Sequence, residues 1–301
     1  MIYNIHFTDF WSSFDIKNNF FTNILKKKIK LVCNYEKDPD ILIFGMFGQK
    51  NQNSKYKNCF KIFYSGESFT FSKYWNEIYE ADIYLTMYSD LSKFTDKNLK
   101  NKLQIQFHLY DMYNIIYNKY NFNNSMNILN KCRNNLCNKE NFCLFMVANT
   151  NVGKGAKIRI ELFNKLNKYK KVHSAGRSLN NGYKVKAGFE NKIEFLKKYK
   201  FCISFENLSE PDYISEKIWE PLIAGAIPIY YGADNIYLYF NKNNFINYKE
   251  FNNLDELVNF IIDVDNDDSK YMSYFNDTPI INQKNYNNIL DQIIFKLNEC
   301  I

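Results

Sequence analysis

Between Phe201 and Gly232 the chain reads FCISFENLSEPDYISEKIWEPLIAGAIPIYYG, and this order of residue types admits few folds. The apolar run Phe201 to Phe205 reads as a buried strand, the polar cluster Glu206 to Ser215 as a loop, and the periodic apolar stretch from Ile218 as a helix. Gly225, Pro228 and Gly232 then punctuate a turn and a second strand, Ile227 to Tyr231. Asn207, Tyr213, Glu216 and Lys217 fall in the loop and at the helix start. The amide edge of a helix N-terminus with an ammonium beside it suits a phosphorylated ligand. Pro221, six residues into a helix capped by Ser215, removes an amide donor and is expected to kink it.

The same alternation runs through the rest of the chain. Ile2 to Phe7, Ile29 to Cys33, Ile41 to Phe44, Phe60 to Tyr64 and Ile83 to Met87 read as strands, with a helix near Lys17 to Lys28. After an Asn-rich stretch from Tyr110 to Glu140, the pattern resumes with strands at 143–148 and 171–174. Helices follow near Ile158 to Lys168, 191–199, Leu254 to Asp263 and Asn285 to Cys300. The expected fold class is α/β with two parallel-sheet, Rossmann-like lobes, 1–140 and 141–301. The last helix is placed to cross back onto the first lobe.

The chain's 301 residues suffice for two cores, and 46% hydrophobic with 24% charged residues is the balance of a folded globular protein. The net charge of +7 is scattered among acidic residues rather than gathered in a stripe, which argues against a nucleic-acid partner. Seven cysteines without CxxC spacing signal neither a zinc site nor a disulfide framework. No apolar run reaches the length of a membrane span and Met1 to Trp11 does not read as a signal peptide, so the expectation is a soluble, cytoplasmic protein.

The order FEN, DY, SEK, AG and a second strand closing on Gly resembles the signature of the α1,3-fucosyltransferases. Fainter likeness extends over Pro39 to Gly48 (PDILIFGMFG), Phe63 to Glu67 (FYSGE) and Val147 to Arg159. The chain departs from the family where Asn149-Thr150 replaces an Asn-Pro pair, where Leu208 replaces the Ser after FEN, and where Gln106 stands in place of an Arg. The resemblance implies the GT-B fold, with a cleft between its lobes, and an inverting transfer of L-fucose from GDP-β-L-fucose to a hydroxyl of a glycan acceptor. It implies no cofactor and no essential metal.

It also implies residue roles. Glu67, after a first-lobe strand, is the general base that takes the acceptor proton, and Arg159 and Lys217 hold the departing diphosphate. Glu216 accepts from the ribose hydroxyls, Asn207 and Tyr213 shape the sugar and phosphate pocket, and the backbone of Val185 contacts guanine. Three assignments stay open. Arg177 either assists with phosphate or caps a strand end, and Glu206 either acts in the site or holds the loop as an N-cap-like carboxylate. Aromatic residues within His6 to Trp11 either stack on the acceptor or staple a helix start. Trp219 reads as core, His108 and His173 as structural, and the acidic run Asp263 to Asp268 as a solvated turn. A transferase using another GDP-sugar, or a sugar-binding module without catalysis, fits the same nucleotide residues.

Overall fold

Strands rich in β-branched and aromatic residues line up in two fully parallel sheets whose central strands are buried on both faces, so the apolar runs there are continuous rather than alternating. The computed structural model describes residues 1–47, 55–68, 81–91, 99, 102–106, 130, 133–134, 136, 139–148, 150–151, 153–281 and 287–300. The expected helix or linker at 110–140 and His108 lie largely or wholly outside these residues, as does Asn149. Contacts divide the chain into Met1–Asp111 with Asn285–Ile301, and Met112–Lys284.

In the first unit the strands are β1 (Ile2–Thr8), β2 (Lys30–Val32), β3 (Ile41–Phe44), β4 (Phe60–Tyr64), β5 (Ile83–Thr86) and β6 (Leu103–Gln106). Their order in the sheet is β2-β1-β3-β4-β5-β6. In β1, Ile5 to Thr8 pair with Ile41 to Phe44, and Phe44 in turn pairs with Phe63, which brings the carboxyl ends of β1, β3 and β4 side by side. Helix α1 (Phe20–Leu25) is shorter than expected because Asn19 and Thr22 form a capping box: Asn19 Oδ1 accepts from Thr22 N (3.0 Å) and Thr22 Oγ1 from Asn19 N (3.1 Å). Strand β6 was not expected, since Leu103 and Ile105 merely alternate with Gln104 and Gln106. It lies at the sheet's edge, with Leu103 and Gln104 half-buried and Ile105 and Gln106 buried.

The second unit orders β7 (Asn141–Phe145), β8 (Val172–Ser174), β9 (Tyr199–Phe205), β10 (Ile227–Tyr231) and β11 (Ile246–Asn247) as β11-β10-β9-β7-β8. Its helices are α2 (Gly153–Tyr169), α3 (Phe189–Leu196), α4 (Glu216–Ile223), α5 (Leu254–Asn266) and α6 (Asp268–Ser273). The acidic run is not a solvated turn. It closes α5, and Asp267 caps α6 by accepting from Ser269 N and Lys270 N. Asp265 is buried because Lys170 (2.5 Å) and Lys200 (2.8 Å) neutralise it. Pro221 ends α4 early instead of kinking a long helix: two residues later the helix stops, and Gly225 turns the chain with φ +70°.

The final helix, α7 (Asn287–Cys300), puts Leu290, Ile293 and Leu297 into one core with Phe7, Phe21, Ile43 and Ile62. The division therefore differs from the expected one near Asn141: the first unit is discontinuous in sequence, because an apolar helix face at the far end of the chain finds its burial there. Among the described residues, no helix is long and apolar enough to cross a membrane.

Candidate functional site

Strand β9 runs at the middle of the second sheet and ends at Phe205, so the next residue stays at the sheet's carboxyl edge. Glu206 is held there by its own N–H, which donates to Tyr231 O at 2.7 Å. The loop that follows is tied down at several points. Asp212 takes a left-handed backbone conformation (φ 67°) and is fixed by Asn235, whose Nδ2 donates to its Oδ1 (2.5 Å) and whose Oδ1 accepts its N–H (2.8 Å). Tyr239 donates a further hydrogen bond to the same carboxylate (2.7 Å). Lys249 bridges Ser209 Oγ (2.5 Å) and Gly232 O (2.7 Å).

The loop ends at Ser215, the N-cap of α4, and the Glu206 carboxylate lies directly beneath it. Glu206 is fully buried; Oε1 accepts from Ser215 N (2.8 Å) and Oγ (2.7 Å), and Oε2 from Lys217 Nζ (3.0 Å). Lys217 Nζ also donates to Ser215 Oγ (2.8 Å) and lies 3.6 Å from Glu216 Oε1. Burial opposes the Lys217 charge, but the carboxylates of Glu206 and Glu216 outweigh it and hold the ammonium above the ordinary lysine range. A positive charge is thus fixed at the first turn of α4.

Arg159, on α2, is the second cation. It is 1% exposed and donates from Nη1 to Phe205 O (3.0 Å). Burial lowers its pKa, while Glu206 and Tyr213 act in the opposite sense, which couples it to the same carboxylate. The approach of α2 depends on two glycines that sequence reasoning passed over. A Cβ on Gly155 would stand 2.0 Å from Glu206 O, and one on Gly153 (φ +80°) 2.2 Å from Asn207 O. The Gly-x-Gly opening of a helix just after a strand was the available signal.

The structure brings Arg159, Asn207, Tyr213, Glu216 and Lys217 together around Glu206 or in the loop it anchors. Asn207 is half-buried, with its carbonyl accepting from Gly155 N (3.0 Å), and Tyr213 is buried. Val185 is half-buried in the segment between β8 and α3, and Arg177 is exposed in the same segment, after Gly176, which packs on Val147 O. Trp219 is core, its ring 5.7 Å from that of Phe189. His173 is held between the Tyr183 hydroxyl (2.7 Å) and the Tyr199 hydroxyl (3.0 Å), a structural role as expected. Glu67 belongs to the first unit, just after β4, where its N–H donates to Ser65 Oγ (3.2 Å). In that unit His6 is buried against Tyr35, whereas Trp11 is exposed beside Phe47.

Two parallel sheets, with the helix-borne cations Lys217 and Arg159 at the carboxyl edge of the second, define a GT-B-like α/β architecture. A crystal structure of an α1,3-fucosyltransferase superposes with a TM-score of 0.69 at 25% identity, covering 99% of this chain and 90% of that one. Another, of an α1,3-fucosyltransferase with GDP-fucose, gives 0.66 at 24% over the same shares. The profile of glycosyltransferase family 10 (fucosyltransferase), C-terminal part, matches residues 136–298, and that of the alpha-(1,3)-fucosyltransferase FucT N-terminal domain matches residues 5–126. The chain belongs to glycosyltransferase family 10, the fucosyltransferases. It is 28% identical over 268 residues to alpha-(1,3)-fucosyltransferase FucT of Helicobacter pylori, covering 82% of this chain and 53% of that protein. To the 4-galactosyl-N-acetylglucosaminide 3-alpha-L-fucosyltransferase 9 of Bos taurus it is 31% identical over 138 residues, 45% of this chain and 36% of that protein. The chain thus spans about half the length of the first relative and less of the second.

Proposed function

We propose that this chain transfers L-fucose from GDP-β-L-fucose to a hydroxyl of a glycan acceptor, in α1,3 linkage and with inversion at the anomeric carbon. The observation that carries the reading is that Lys217 is bound to the buried Glu206 carboxylate and Arg159 to the carbonyl of the preceding Phe205, both at the end of β9, in a chain of this family. Fixed cations stabilise charge that develops on a departing diphosphate without reorganising during the reaction. In this reading Glu216 accepts hydrogen bonds from the ribose, Asn207 and Tyr213 shape the pocket, and the backbone at Val185 meets guanine. Glu67 takes the acceptor proton as the hydroxyl attacks. GDP leaves without needing a strong acid, and neither a metal nor a cofactor takes part.

The test is a thermal-shift panel of GDP, UDP and ADP with and without EDTA, followed by transfer from GDP-fucose to N-acetyllactosamine with the product's anomeric configuration read by NMR. Selective stabilisation by GDP that survives EDTA, and an α-fucosyl product, are expected. Equal stabilisation by UDP, or dependence on metal, contradicts the reading.

A further inference from the structure

Glu206 and Lys217 form an unequal pair. The carboxylate has no exposed surface, whereas 21% of the Lys217 side chain remains accessible. Among the described residues, the carboxylate accepts from Ser215 N, Ser215 Oγ and Lys217 Nζ, all on the side of the protein. A group so enclosed cannot touch a ligand, and capping α4 alone would need only the Ser215 hydroxyl. The backbone around it is equally fixed. A Cβ on Gly232 would meet Glu206 Cγ at 2.7 Å, one on Gly155 would meet Glu206 O, and the Glu206 N–H is bound to Tyr231 O. Burying a carboxylate this completely is unfavourable unless its partners are held in place, so the arrangement fixes the ammonium as firmly as it fixes the acid.

We propose that Glu206 is a positioning residue, which orients the Lys217 ammonium and the first turn of α4 to receive the diphosphate of the donor. The proposal rests on the donor reading above. Glu206 acts through Lys217 in two ways: it sets where the ammonium sits, and with Glu216 it supports the ammonium's charge against the burial that opposes it. The ionisable groups that bear on Lys217 are Glu206, Glu216, Tyr213 and Glu220, and Arg159 bears on Glu206 from α2. Glu206 accepts from Nζ at 3.0 Å, and its carboxylate is fully buried.

The experiment is GDP titration calorimetry on the whole chain between pH 7 and pH 10, for wild type, Glu206→Gln, Lys217→Met and the double variant. Glu206→Gln keeps the shape but presents an amide to the ammonium. GDP affinity at pH 7 should fall about 10- to 100-fold, the scale of a charge-assisted contact. It should fall further as pH rises, because a Lys217 without its carboxylate deprotonates earlier; wild type should stay flat. In the Lys217→Met background, Glu206→Gln should cause no additional loss. Should the Gln variant fail to fold, Glu206→Asp replaces it: the retained charge should keep the profile flat while the shortened reach weakens binding. Wild-type affinity with a flat profile in Glu206→Gln, or equal losses with and without Lys217, overturns the positioning role while leaving the donor reading intact. If wild type binds no GDP, the donor reading fails and takes this role with it.

Discussion

Arg159 Nη1 and Phe205 O are joined at 3.0 Å across 46 residues of chain, which fastens helix α2 to the end of the central strand β9. The guanidinium is therefore a structural tie as well as a candidate phosphate ligand. Arg159→Ala should lower stability by about 2–3 kcal/mol, the worth of a hydrogen bond to a charged group together with the carbonyl it leaves unsatisfied. Arg159→Lys keeps the charge but loses the planar fork, so it should retain more of the stability while GDP affinity drops about tenfold. Urea denaturation and calorimetry on both variants separate the two roles, and equal GDP affinity in all three proteins would sink the ligand role.

Gly155 sits in α2, where alanine ordinarily gains about 1 kcal/mol over glycine. Here the gain should reverse, because the new Cβ would stand 2.0 Å from the Glu206 carbonyl oxygen. Gly155→Ala should destabilise the protein by about 1–3 kcal/mol, as overpacking does, and should also weaken GDP binding by moving Glu206. A rise in melting temperature would show that α2 can shift away at no cost.

Glu67→Gln should leave GDP affinity nearly unchanged while cutting turnover about 100-fold or more, the usual contribution of a positioned general base. The amide keeps an acceptor oxygen but cannot take a proton. Single-turnover transfer from GDP-fucose measures the chemical step directly, and near wild-type rates would move the base to another carboxylate.

Glu220 is 6% exposed and pairs with Lys192; burial pushes its pKa up to about 7, only partly offset by the lysine. A carboxyl whose folded pKa lies above its unfolded value of about 4.5 binds its proton more tightly in the native state. Its contribution to stability is full below pH 4.5 and is lost as pH rises through 7, to a total of about 3 kcal/mol. Glu220→Gln should remove that slope, since Lys192 is exposed enough to hydrate without its partner. Urea midpoints taken from pH 4.5 to pH 8 check it: an unchanged slope in the Gln variant assigns the pH dependence elsewhere.

The segment from β9 to β10 was legible because each of its elements announces itself locally: a five-residue apolar run, a Ser cap, a period of 3.6 and a glycine stop. The centre of the site was harder to read. Glu206 looks like any carboxylate opening a polar loop, and only the fold shows that the chain turns so that Ser215 and Lys217 close over it. Asp265 was misjudged for the same reason, since its lysine partners stand 95 and 65 residues away in sequence. Gly153 and Gly155 carry no information until the backbone they approach is known. Strand β6 has too few apolar residues to stand out from its surroundings.

The return of α7 to the first unit has a consequence for the order of events during synthesis. Chains emerge amino-terminus first, yet the core around Phe7, Phe21 and Ile62 lacks Leu290, Ile293 and Leu297 until Met112–Lys284 has been made. Of these two units, the one begun first is finished second. While Met112–Lys284 is being translated, the apolar surface awaiting α7 stands open to water, and shielding by the ribosome or a chaperone would matter most in that interval.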